Sequence, residues 1–281
     1  MGFKDFLNGL KITIRVKSSN QALLIIGSGA WSQKVSSIIG KNNKEIIVTI
    51  VGAREFLSLD EAAVKNIIAN QIVWIATTPK NQIKILNMIK SYDNKVIIEK
   101  PFAVDKGELK EFLNLTSKTD NKIYLSEPWK HSKIWPKEKN LITAQKSPQN
   151  IIINRGGPIE RSYISPVWDW IQHDLGLISE LLLGYKEEIL ISFRWINLNK
   201  TLNISLIVPS RFNIEMNIGY FPEKIGNWKI NGDTRIDFVN YNPSDDNPIY
   251  TMYEYVADEK FINNLGGQVW LTSKIITLLE A

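Results

Sequence analysis

Ala22-Leu23-Leu24-Ile25-Ile26-Gly27-Ser28-Gly29-Ala30-Trp31-Ser32 decides how the chain is to be read. An apolar run of strand length ends in two glycines one residue apart, and a helical pattern continues from Ala30 to about Ile39. Strand, glycine turn and helix in that order make a place where backbone can approach a phosphate closely. The helix N-terminus adds a positive field there. The third small position of that fingerprint is Ser32, not Gly or Ala, and an ordinary βα turn can carry the same letters.

Working outward, strand and helix patterns alternate. Strands are expected at Glu45–Val51, Ile72–Ala76, Lys95–Ile98 and Ile123–Leu125. Ser58-Leu59-Asp60-Glu61 has capping-box spacing for a helix to about Ala69. Further helices are expected over Asn81–Tyr92 and from the cap at Asp105-Lys106-Gly107-Glu108 to about Thr116. That alternation predicts a doubly wound parallel α/β sheet. Beyond about Ser126 the texture changes. One helix, Trp168 to Leu183, precedes long alternating stretches at Glu188–Trp195, Leu202–Val208, Phe212–Tyr220 and Trp228–Val239, and a final helix covers about Glu259–Leu279. This half reads as an α+β domain on an open, mainly antiparallel sheet. The expected domains are 21–125 and 126–281, with 1–20 as an N-terminal arm or edge strand.

The composition of the 281 residues, 44% hydrophobic and 22% charged, fits a globular chain with an ample core. The formal charge of +5 is spread without a dense basic block, so nucleic acid is not an expected partner. No cysteine is present, which excludes disulfides and thiolate chemistry, and the two histidines, His131 and His173, do not suggest a metal site. Neither a signal-peptide pattern nor an apolar stretch of membrane-spanning length stands out. The expectation is a cytoplasmic protein with no membrane partner.

Candidate chemistry gathers at the ends of the predicted strands. Gly27, Ser28, Gly29, Ala30 and Trp31 form the phosphate loop. The second strand ends Val51-Gly52-Ala53-Arg54-Glu55, where a dinucleotide site needs an acid for a free 2′-hydroxyl or a cation for a 2′-phosphate. Arg54 favours NADP over NAD, Glu55 could serve a ribose in a longer register, and both residues also suit a plain surface. Ala76-Thr77-Thr78-Pro79 ends the third strand, with hydroxyls and backbone groups suited to a ribose and a turn that also starts a helix. Glu99-Lys100-Pro101 ends the fourth, where the lysine has no evident packing role. In the second half, Asp169 and His173 stand four apart on a predicted helix and share one face. A histidine beside a carboxylate can carry a proton near neutral pH. His131 has no such partner in sequence and reads as a loop histidine.

This ordered set resembles the Gfo/Idh/MocA family of NAD(P)-dependent oxidoreductases over nearly all the chain from residue 21. The resemblance rests on Gly27 and Gly29, Ala76–Pro79, Glu99-Lys100-Pro101 and Asp169-x-x-x-His173-Asp174. It implies a Rossmann domain and a substrate domain whose sheet mediates homo-oligomerisation. It also implies that Lys100 contacts the reacting hydroxyl and nicotinamide ribose, with His173 the general acid/base and Asp169 positioning the substrate. Three departures stand out. The span from Gly29 to Ser58 is short, Tyr163-Ile164-Ser165-Pro166-Val167-Trp168 replaces a glycine-rich turn, and Lys80-Asn81-Gln82 stands where a histidine is common.

The expected function is hydride transfer between nicotinamide and a secondary alcohol or ketone of a sugar, nucleotide sugar or cyclitol. Two alternatives remain open: a nucleotide-binding sensor or regulator without catalysis, and a reductase of a linear tetrapyrrole or an imine.

Overall fold

The computed structural model describes residues 22–145, 147–158, 164–185, 188–196, 200–241, 246–258 and 265–280. The arm or edge strand expected over 1–20 lies outside the described residues. The chain forms two compact units, one of the residues up to Ser126 with Ile249–Leu265, the other of Glu127–Pro248 with the chain from Gly266, so the second unit is not the continuous 126–281 stretch expected.

The first unit alternates β1 (Ala22–Ile26), α1 (Ala30–Asn42), β2 (Ile47–Val51), α2 (Ala53–Leu57), α3 (Glu61–Ile68), β3 (Gln71–Ile75), α4 (Pro79–Ile89), β4 (Lys95–Ile98), α5 (Lys106–Thr116) and β5 (Lys122–Leu125). The five strands are all parallel in the order β2-β1-β3-β4-β5. The strand order reverses at β1, so the crevice for a ligand opens at the C-terminal ends of β1 and β3. Strand residues are buried on both faces (Leu23 to Ile26, Val73 to Ile75, Val96 to Ile98), which explains their unbroken apolar runs.

Caps set the helix starts. Asp60 accepts from the Ala63 amide at 2.8 Å and Asp105 from the Glu108 amide at 2.8 Å. The expected cap at Ser58 is corrected. Ser58 closes the short α2 instead, with its hydroxyl on the Glu55 carbonyl.

The second unit runs through a 3-10 turn at Pro128–His131, then α6 (Ile134–Ala144), β6 (Gln149–Gly157), α7 (Pro166–Leu181), β7 (Leu190–Ile196), β8 (Thr201–Val208), β9 (Phe212–Tyr220), β10 (Ile225–Ile230) and β11 (Asp233–Asp237). Its sheet order is β11-β10-β6-β9-β8-β7, antiparallel except for the parallel β6–β9 pair. The single strand expected over Trp228–Val239 is a hairpin. Asn231 and Gly232 both have positive φ, 51° and 96°, as a two-residue hairpin turn requires.

Two helices finish the described chain, α8 (Pro248–Ala257) and α9 (Gly266–Leu279). The final helix runs over Gly266–Leu279, and residues 259–264 of the expected Glu259–Leu279 helix lie outside the described residues. Helix α8 follows the second sheet in sequence yet packs on the first, with Met252, Tyr253 and Val256 buried beside Leu23, Trp74 and Ile97. Lys95 holds its C-terminal end by donating to the Ala257 and Asp258 carbonyls at 2.8 and 2.7 Å.

Candidate functional site

The C-terminal edge of the first sheet is a continuous row. Each residue just past a strand end bonds to its neighbouring strand: Gly27 N–H to Val51 O at 2.7 Å, Ala76 N–H to Ile26 O at 2.9 Å, Glu99 N–H to Ile75 O at 3.0 Å and Ser126 N–H to Ile98 O at 2.8 Å. Four separate stretches of sequence thus meet on one line. The row brings together the glycine loop, Ala76 and Glu99-Lys100.

Gly27 is obligatory. Its φ is +137°, and a Cβ there would fall inside the Ala76 carbonyl oxygen. Ser32 is buried beneath it, so the third fingerprint position does the close helix–strand packing with serine. Gly29 differs, since a Cβ on it would meet nothing within 4 Å. Ser28, Gly29 and Ala30 are exposed, and the first turn of α1 has neither a side-chain cap nor an acidic residue. The N-terminal amides of this thirteen-residue helix therefore have no side-chain cap and no acidic residue of their own turn competing for them. This loop fits a dinucleotide's phosphates on its own geometry.

At the end of β2, Glu55 turns back to accept from the Gly52 amide at 2.9 Å. Its carboxylate is engaged as a helix cap, which leaves exposed Arg54 as the charged neighbour at that strand end. After β3, Thr78 is the N-cap of α4 and Pro79 its first residue. Gln82, 1% exposed, donates to the carbonyls of Thr77 and Glu99, each at 2.8 Å, and so fixes the β3 loop to the β4 loop. That accounts for the glutamine in Lys80-Asn81-Gln82.

Glu99 is 4% exposed, and its Oε1 accepts from Trp31 Nε1 at 2.6 Å, Trp74 Nε1 at 2.9 Å and Ser126 Oγ at 2.7 Å. Trp31 thus reaches from the glycine loop to the end of β4. Its ring lies 5.6 Å from the Lys100 ammonium and 5.5 Å from that of Lys34. Lys100 is half-buried, and its peptide bond to Pro101 is cis. Sequence reasoning gave no hint of the Trp31–Glu99 bond, because nothing in the local spacing of 31 and 99 signals it.

In the second unit, Ser165 caps α7 by accepting from the Val167 amide at 3.3 Å. Helix rotation is set by Asp174, fully buried, which takes a bidentate ion pair from Arg155 on β6 at 2.8 and 2.7 Å and the Trp228 indole N–H at 2.7 Å. With Asp174, Ile171, Leu175 and Ile178 buried, Asp169 and His173 lie on a different stripe, both half-buried. The His173 ring lies 6.1 Å from that of Trp170. His131 is half-buried in the 3-10 turn, and burial, aided by the Lys130 charge, pushes its imidazole down to about 4.

No family model and no curated protein matches the chain by sequence. Solved structures do match its fold. UDP-N-acetylglucosamine 3-dehydrogenase from Acidithiobacillus ferrooxidans aligns with a TM-score of 0.67 at 13% identity, over 92% of this chain and 97% of the other. Scyllo-inositol dehydrogenase from Lactobacillus casei, solved with NAD(H) and scyllo-inositol, aligns at 0.59 with 12% identity, over 92% and 96%. Biliverdin reductase from Synechocystis, in complex with biliverdin and NADP+, aligns at 0.61 with 12% identity, over 92% and 98%. At such identities the likeness establishes the fold: a Rossmann-like parallel sheet and a second, mostly antiparallel sheet.

Proposed function

We propose that the chain is an NAD(P)-dependent oxidoreductase of the Gfo/Idh/MocA family, acting on a secondary alcohol or ketone of a sugar, nucleotide sugar or cyclitol. The observation that carries this reading is the row Gly27, Ala76, Glu99-Lys100 along one sheet edge, beside an open, uncapped helix N-terminus. Gly27, Ser28, Gly29, Ala30 and Trp31 would hold the dinucleotide's phosphate side, and Ala76, Thr77 and Thr78 would line the path toward Lys100, with Pro79 and Glu99 buried behind them. The nicotinamide supplies hydride acceptance or donation when bound. Arg54 at the end of β2, with Glu55 engaged on Gly52, favours NADP over NAD.

The protein's own work is with the proton. Lys100 holds the substrate hydroxyl and stabilises negative charge as it develops on oxygen. His173 takes the hydroxyl proton in oxidation and returns it in reduction, with Asp169 holding the substrate beside it. Two of the structures alike in fold are named for a nucleotide-sugar and a cyclitol dehydrogenase, which favours that substrate class over a tetrapyrrole. A homo-oligomer formed through the second sheet is part of the same proposal.

The test is to titrate NADH and NADPH separately into the protein, then screen nucleotide sugars and cyclitols for change in the nicotinamide absorbance. Tighter binding of NADPH and turnover with one of these substrates is expected. No nucleotide binding at millimolar concentration overturns the reading.

A further inference from the structure

Helix α7 carries Asp169, His173, Gly176 and Glu180 at spacings of four, three and four, which places all of them on one stripe. The first two are the candidate chemical pair. The 3-10 turn at Pro128–His131 meets the other two. The Glu127 carboxylate stands over Gly176 in the space that a Cβ would fill, and Lys130 Cε lies 3.3 Å from the same point. Lys130 Nζ is 2.5 Å from Glu127 Oε2 and 4.0 Å from Glu180 Oε1. Glu180 in turn accepts from Trp135 Nε1 at 2.8 Å and Lys139 Nζ at 2.9 Å. The Lys130 and Glu127 side chains are 7% and 6% exposed, so this is a dry ion pair.

Packing alone does not call for such an arrangement. Glycine inside a helix costs about 1 kcal/mol relative to alanine. Two charges removed from water cost several kcal/mol more before their attraction offsets it. Apolar residues on the turn, facing an alanine at 176, would cover the same stripe without either cost. What the arrangement supplies is a carboxylate one helical turn from His173, on the same stripe, held there by its own lysine.

We propose that Glu127 is a positioning residue for His173: a second carboxylate, beside Asp169, that favours the protonated imidazole. Its consequence for turnover rests on the reading of His173 as the proton carrier, but the electrostatic coupling itself does not. Among the described residues, the charged and titratable groups bearing on this stripe include Asp169 and Glu180 on α7, Glu127, Lys130 and His131 from the turn, and Lys139 from α6. Burial pushes Glu127 up to about 7 against the pull of Lys130. Its charge therefore changes within the working range of a histidine.

The two histidines of the chain make the test direct, since each contributes one Cε1–H resonance and His131→Gln assigns them. Titrating wild type, Glu127→Gln, Glu127→Asp and Gly176→Ala by NMR reads the His173 midpoint. Gly176→Ala keeps every charge and pushes the Glu127 carboxylate off the stripe. The His173 midpoint is expected to fall by about half a pH unit or less in Glu127→Gln, because a carboxyl that titrates near 7 is only partly charged where a histidine takes up its proton. It should fall in Gly176→Ala as well, and recover in Glu127→Asp. An unmoved midpoint in Glu127→Gln and Gly176→Ala overturns the proposal; if Glu127→Gln does not fold, Gly176→Ala decides alone. These midpoints need no cofactor or substrate. Coupled midpoints without nucleotide binding would sink the oxidoreductase reading only, and uncoupled midpoints with intact hydride transfer would sink this inference only.

Discussion

The Trp31 indole donates to the Glu99 carboxylate at 2.6 Å, joining the glycine loop after β1 to the end of β4 across the Trp74 position on β3. The same carboxylate oxygen accepts from Trp74 and Ser126, so one buried side chain ties the glycine loop, β3 and the end of β5 to the end of β4.

Glu99→Leu would leave the Trp74 N–H and the Ser126 hydroxyl buried without an acceptor, each at about 1–3 kcal/mol, and release Trp31 as well. A loss of at least about 3 kcal/mol in urea unfolding is expected. Glu99→Gln keeps an oxygen acceptor and should cost less than half as much. Equal losses in the two variants would show that Glu99 acts by filling space rather than by accepting these bonds.

Lys100 has an ammonium 5.6 Å from the Trp31 ring and stands at the end of the edge row. Lys100→Ala is expected to cut turnover at least ~10²-fold, the usual scale for a positioned proton-handling group. Nucleotide binding should remain measurable. Unchanged turnover would remove Lys100 from the chemistry.

The two loop glycines separate folding from binding. Gly27→Ala puts a methyl group into the Ala76 carbonyl at a positive φ and is expected to lower stability by several kcal/mol. Gly29 has φ −73° and open space around it, so Gly29→Ala should change stability by no more than ~0.5 kcal/mol. Its methyl would instead stand where a phosphate approaches. We expect nucleotide affinity to fall about tenfold or more, a loss near 1.4 kcal/mol, which a calorimetric titration would read. Full affinity in Gly29→Ala would move the phosphate site elsewhere.

The first sheet was legible in sequence because its strands are buried on both faces, leaving unbroken runs such as Val96-Ile97-Ile98 that end in Glu99-Lys100-Pro101. The second unit was less so. Strand β6 was missed, since Ile151-Ile152-Ile153 breaks the alternation and Arg155 looks like a surface residue. Arg155 is buried because Asp174, nineteen residues on, pairs with it and the Phe238 ring packs on its guanidinium. Helix α6, with Pro136 in its first turn, was missed, as was α8. In α8 the aromatic run Tyr250-Thr251-Met252-Tyr253 obscures a helical face that becomes buried only against the first sheet. The Asp169–His173 pair was legible because helix spacing is local, whereas the Trp31–Glu99 bond and the Glu127 carboxylate over Gly176 depend on contacts between distant segments.

That long-range pair gives its own prediction. Asp174→Ala leaves the Arg155 guanidinium buried without its carboxylate and the Trp228 N–H without its acceptor. Breaking one side of such a pair costs about 3–5 kcal/mol. The expected readout is a loss of that size in denaturant unfolding, and a change below ~1 kcal/mol would mean that the pair does not hold α7 to the sheet.

The turn before α6 should show opposing pH dependences. Burial, then the Lys130 charge, pushes His131 down to about 4 from 6.5, so the unfolded chain takes up that proton first. Stability is therefore lost as pH falls from 6.5 toward 4. Glu127 runs the other way: burial raises it to about 7 from 4.5, so the folded chain takes up that proton first. Its contribution is full below 4.5 and lost as pH rises toward 7. The two slopes oppose each other between 4.5 and 6.5. Glu180, held low by Trp135, Lys139 and Lys130 despite its burial, and Asp237, held low by Asn240 and Val239, act only below their ordinary ranges. His131→Gln removes the acid-labile limb and leaves that of Glu127. Relative to wild type, the variant should gain about 2 kcal/mol at pH 5, one and a half pH units below the ordinary histidine value. The gain should vanish at pH 7. Urea unfolding of both proteins at pH 5, 6 and 7 measures it, and a difference that does not change with pH would mean that His131 titrates alike in the folded and unfolded chain.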